Sequence, residues 1–180
     1  MSHTTTARGT AGLITHATAL IRGAADADLS VYHARTEHAR IAVLWGGLLL
    51  NIYSAAAAQG LFEAFVAARQ AAVRVPRELP AVGTPECRFA RPIVAMEWTY
   101  RPTYAVVPQS GRTRTGNQVM HWVDLHTGPI TWQIRDRVGL VSAIETLAQV
   151  HRTAVGIFLD GAEHAQDPAA DDYPHTRQHA

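Results

Sequence analysis

Apolar side chains fall in blocks along the chain, and their spacing differs from block to block. Over 41–72 (IAVLWGGLLLNIYSAAAAQGLFEAFVAARQAA) the only charges are Glu63 and Arg69, and no proline interrupts. Length and the abundance of Ala, Leu and Gln favour one long helix there over buried strands. Ala58, Leu61, Phe65, Ala68, Ala72 and Val75 trace a core-facing stripe. A second row, Ala56, Gly60, Ala64, Ala68 and Ala72, recurs at every fourth position. Small side chains at that period let another helix backbone approach closely, so this ridge is expected to be an interface with a helix of this chain or of a second copy. The spacing Leu13, Ile14, Ala17, Leu20, Ile21, Ala24 predicts a shorter helix ending around 23–28. Asp28 or Ser30 would cap the long one, which runs over 31–75 with a kink at Gly46-Gly47.

Pro76, Pro80, Pro85 and Pro92 end the helical block, and from 93 the composition turns β-branched and aromatic. IVAMEWTY, TYAVV, NQVMHWVDL and PITWQIR read as three or four antiparallel strands. The last two form a hairpin. With 126–129 as its loop, Leu125 opposes Ile130, Val123 opposes Trp132 and His121 opposes Ile134. Trp122, Asp124, Thr131, Gln133 and Arg135 then share the other face. Leu140, Val141, Ile144, Leu147, Ala148, Val155 and Phe158 predict a final helix covering the apolar face, stopping near Asp160-Gly161. The expected fold is α+β. Residues 1–10 are disordered, 11–75 helical with the Ala/Gly ridge, 76–92 a Pro-rich connection, 93–160 an antiparallel sheet plus helix, and 161–180 an acidic disordered tail.

Composition changes this picture at three points. The uncharged run 41–62 is long enough to span a bilayer, but Asn51, Ser54, Gln59 and three glycines make insertion costly and arginines flank both ends, so membrane anchoring is a lesser alternative. Cys87 is the single cysteine, which excludes an internal disulfide or a Cys-based zinc site; with no secretory signal in the first thirty residues, a cytoplasmic protein is expected. The net charge of +1 hides an asymmetry: seven arginines (88, 91, 101, 112, 114, 135, 137) stand between 87 and 137, and five acids with no arginine between 160 and 172.

Ten histidines invite acid–base or metal chemistry. His33, Glu37 and His38 sit in HARTEHAR, which is not the zincin spacing. Strand alternation separates His121 from Asp124 and His126, whereas His151 on the last helix can meet His121 beneath the sheet, making this pair the catalytic candidates. No phosphate-binding loop, GxGxxG or nucleophile elbow is present, and no cofactor or metal is expected. The leading expectation is a non-enzymatic interaction or assembly protein, a homodimer through the ridge that presents its sheet to a partner. Nucleic-acid binding is the first alternative: Arg112, Arg114 and Arg135 would meet phosphates and Trp122 would stack on bases. A membrane-anchored accessory protein and a His-dependent enzyme follow.

Overall fold

The computed structural model describes residues 16–80, 94–113 and 116–175. Among these residues eight strands form two four-stranded sheets. In chain order they are β1 (Ala17–Ile21), β2 (Ala27–Tyr32), β3 (Arg40–Trp45), β4 (Leu48–Ile52), helix α1 (Ala55–Ala71), β5 (Val94–Trp98), β6 (Tyr104–Arg112), β7 (Val119–Thr127), β8 (Ile130–Ile134) and helix α2 (Arg137–Ile157). The sheet orders are β1-β8-β7-β6 and β2-β3-β4-β5.

The long N-terminal helix is therefore absent, and 41–52 is a hairpin. Ile41, Val43, Trp45, Leu50 and Ile52 are buried at alternate positions and pair as Ile41 with Ile52, Val43 with Leu50 and Trp45 with Leu48. Gly46-Gly47 is the turn between them, not a kink, with Gly46 at φ +58, a conformation that glycine adopts without strain. Only at Ala55 does a helix begin, after Ser54, whose side chain accepts from the amide of Ala57. The shorter helix predicted before it is likewise replaced: its described part contains β1, where Ala19 and Ile21 are buried and Leu20 is exposed.

The single antiparallel sheet also gives way. β5 leaves the later strands and pairs in parallel with β4, and β1 pairs in parallel with β8. The β7–β8 hairpin keeps the expected faces but not the expected register: Leu125 pairs with Trp132 and Thr127 with Ile130. Gly128-Pro129 is a two-residue turn with Gly128 at φ +59. A slip of two positions preserves which side each residue faces. α2 follows the strands, but it packs on α1 and reaches β1, β3 and β8, while α1 lies on β6 and β7. Trp45, Phe65 and Trp132 meet between the layers, with centroids 5.4 to 6.2 Å apart.

The two halves have one plan. β1–β4 with α1 and β5–β8 with α2 are each four strands and a helix, and their pairings correspond. Ile41 opposes Ile52 as Val123 opposes Ile134. Leu29 opposes Val43 as Val106 opposes Leu125. Tyr53 N–H bonds to the Trp98 carbonyl at 3.0 Å as Arg135 N–H does to that of Ile21 at 2.9 Å. Ser54 and Asp136 cap the two helices at matching positions. The first strands are exchanged, so that each sheet holds three strands of one repeat and the first strand of the other.

Candidate functional site

Alternation along β7 and β8 turns Val123, Leu125, Trp132 and Ile134 into the core, where all four are fully buried, and sends the intervening side chains outward. Register then lays Leu20, Gln133, Asp124 and Val107 in one row across the four strands. The face is open: Leu20 is 57% and Val107 37% exposed.

Its polar groups hold one another in place. Trp122 donates from Nε1 to Asp124 Oδ1 at 3.1 Å, and Gln133 donates from Nε2 to the same oxygen at 3.3 Å. The Trp122 ring lies over Gly111, where a Cβ would stand 3.2 Å from it. The Arg135 guanidinium stacks on that ring at 4.9 Å from the centroid, a cation–π contact that fixes the charge without consuming its N–H donors. In the next row Thr131 Oγ1 lies 2.8 Å from His126 Nδ1 and 3.0 Å from His16 Nε2. A hydroxyl carries one proton, so Thr131 donates to one imidazole and accepts from the other.

Of the four residues expected to bind, the structure brings Trp122 and Arg135 together. Arg112 is exposed at the end of β6 but shares the parity of Val106 and Pro108, which puts it on the opposite side of the sheet. Arg114 lies outside the described residues. His121 and His151 have separate surroundings. His121 is half-buried on β7 opposite Ser110, whereas His151 is buried, donates from Nε2 to the His164 carbonyl at 2.7 Å and packs on Phe62. The ridge is taken up inside the chain: Gly60, Ala64, Ala68 and Ala72 are buried and Ala56 half-buried. At Gly60 a Cβ would come within 3 Å of both Arg101 and Pro102.

Sequence reasoning missed a second polar cluster. Glu63 is fully buried and receives hydrogen bonds from Arg101, from the Tyr104 hydroxyl at 3.1 Å and from the Tyr173 hydroxyl at 3.1 Å. Arg101 also donates to Tyr173 at 2.8 Å and to Gln59 Oε1 at 2.6 Å. Burial pushes the Tyr173 phenol above its ordinary value, against the opposing pull of Arg101. Desolvation works to lower Arg101, yet its hydrogen bond to Tyr173 and the Glu63 charge raise it overall. Through Tyr173 the described end of the segment read as an acidic tail is docked on α1. One signal was available: a lone carboxylate in an apolar run requires a buried partner.

Comparison with family models, with curated proteins and with solved structures finds no match. Among the described residues no cluster of three or more His, Cys, Asp or Glu is placed to hold a metal ion, and no helix is long and apolar enough to cross a membrane. The run 41–62, weighed as a membrane anchor, is divided between a β-hairpin and the start of α1. Fold and face together define an α+β protein of two strand-exchanged repeats with one open, internally braced polar sheet surface.

Proposed function

We propose that the protein is a non-enzymatic interaction module that binds its partner with the outer face of the β1-β8-β7-β6 sheet. The observation that carries this reading is the Trp122–Arg135 pair, braced by Asp124 and Gly111 on an open surface. Tryptophan and arginine dominate binding energy where they sit preorganised at the centre of a contact. The single cysteine, Cys87, allows no internal disulfide, which supports a reducing, cytoplasmic setting for the module. The Ala/Gly ridge, which the chain itself covers, is not offered to a second copy.

The test is a comparison of partners retained by the wild type and by Trp122→Ala and Arg135→Ala, with circular dichroism checking that the fold is kept. Each substitution is expected to weaken capture at least tenfold. Retention of the same partners at the same level by both variants refutes the proposal.

A second reading, single-strand nucleic-acid binding, draws on the same pair, since a guanidinium plane held on a ring can stack on a base. Fluorescence anisotropy with a labelled oligothymidylate separates the two. Binding that weakens steeply with salt and is lost in Arg135→Ala supports nucleic acid; its absence favours a protein partner.

A further inference from the structure

The repeat symmetry gives Glu63, Arg101 and Tyr104 counterpart positions in the other half, and the side chains at two of the three differ. Glu145 on α2 holds the position of Glu63 on α1, and Leu29 and Val43 hold those of Val106 and Leu125. The backbone correspondence extends to the loop. Gly60 abuts Pro102, and at the matching place Ser142 Oγ bonds to the amide and carbonyl of Ala25 at 3.2 and 3.3 Å.

The side chains that fill the first groove are missing from the second. Arg101 and Tyr104 are replaced by Ala24 and Ala27, and Tyr173, which bonds to Arg101 and Glu63, has no counterpart among the described residues lining the second groove. What is left between α2 and β2 is a hollow of about 380 Å³ with Ala27, Leu29 and Val43 among its apolar residues and with Asp26 and Glu145 as its charges. That volume lies within the range of small ligand sites. Among the described residues neither carboxylate forms an ion pair, although Arg77 and Arg137 line the adjoining hollow beside Glu145.

We propose that this groove is a docking site for an arginine-bearing polypeptide segment of a partner protein, whose guanidinium takes on Glu145 the place that Arg101 takes on Glu63. Two observations support that occupant. The charges lining the groove itself are both negative, and among the described residues neither is in an ion pair, so the groove favours a cation. The equivalent groove of the same chain, built on the same carboxylate, holds an arginine with tyrosine hydroxyls beside it. Arginine is favoured over lysine because Arg101 divides its donors among Glu63, Gln59 and Tyr173, a fork that a single ammonium does not reproduce. This surface lies apart from the outer face assigned above, so either assignment can fail alone.

The probe is a peptide copy of residues 99–105, TYRPTYA, titrated into the full chain and followed by amide chemical shifts. Saturable shifts centred on Ser142, Glu145 and Leu29 are expected. Affinity should fall at least tenfold when the peptide's arginine is replaced by alanine and when the protein carries Glu145→Gln, an exposed position where the fold is kept. The variant Ala24→Arg with Ala27→Tyr should fill the groove from within and abolish binding. No saturable binding, or binding equally tight to Glu145→Gln, overturns the proposal.

Discussion

Gly60 shows how a small residue was read for the wrong neighbour. Its place in a four-residue period suggested the notch of a helix pair, but the groove it opens holds Arg101 and Pro102 on the way from β5 to β6. Gly60→Ala tests which effect governs the site. Alanine is the better helix former by about 1 kcal/mol, yet its methyl would overlap a proline ring that cannot rotate away. Overpacking of this kind costs about 1–3 kcal/mol, and here it also displaces the arginine that neutralises Glu63. A net loss of about 1–2 kcal/mol in urea denaturation is therefore expected, where propensity alone would give a gain. Glu63 itself was legible as an anomaly, a charge in an apolar run. Its partners were not, because Arg101, Tyr104 and Tyr173 are distant in the chain.

At the scale of elements, the hairpin 41–52 was hidden by its own outer face. Leu44 and Leu49 stand on the side away from the core, so apolar residues occupy both parities and the alternation that marks a strand disappears into a continuous run. Gly46-Gly47 was the remaining signal, and a two-residue glycine turn between apolar runs is a hairpin signature. The β7–β8 faces were legible because Asp124, Thr131 and Gln133 keep the alternation clean, while its register depended on turn length. Helix starts are fixed by side chains of unequal reach. Ser54 serves α1 locally, with Asp160 adding bonds to the amides of Ala55 and Ala56 at 3.0 and 3.1 Å. Asp136 does more: fully buried, it accepts from Gly139 at 2.7 Å, Gly23 at 3.0 Å and Leu79 at 3.3 Å. Asp136→Ala should thus exceed the ordinary cap loss of about 0.5–2 kcal/mol, since it strands amides from three segments. Thermal unfolding against Ser54→Ala measures the difference, and equal losses would show that the contacts to Gly23 and Leu79 contribute nothing.

The repeat, the largest feature of the molecule, left little trace in the sequence. Gly46 and Gly128, Ile52 and Ile134, Glu63 and Glu145 are matched, but core volumes trade places, with Ala58 and Leu61 answered by Leu140 and Ala143. The β6–β7 hairpin is also longer than the β2–β3 hairpin, with strands of nine residues against six, which shifts the alignment midway through each repeat. Packing conserves total volume rather than identity, so a search for similarity along the chain finds nothing to hold. The exchange of first strands makes each sheet depend on both repeats. A single cooperative transition is expected for the whole molecule: near-ultraviolet signals from Trp45 and Trp122, which stand in different sheets, should give coincident urea midpoints. Separate midpoints would mean that the two sheets fold independently.

Exchange also bears on what half of this chain would be. A fragment carrying β1–β4 and α1 has a first strand with no place in its own sheet and a fourth strand with no parallel neighbour. Two such fragments, related by a twofold axis, supply each other's missing strand. The single chain therefore has the architecture of a strand-swapped dimer whose subunits have been joined end to end. Within one chain the two halves need not be identical, and here one groove holds an arginine where the other has an alanine.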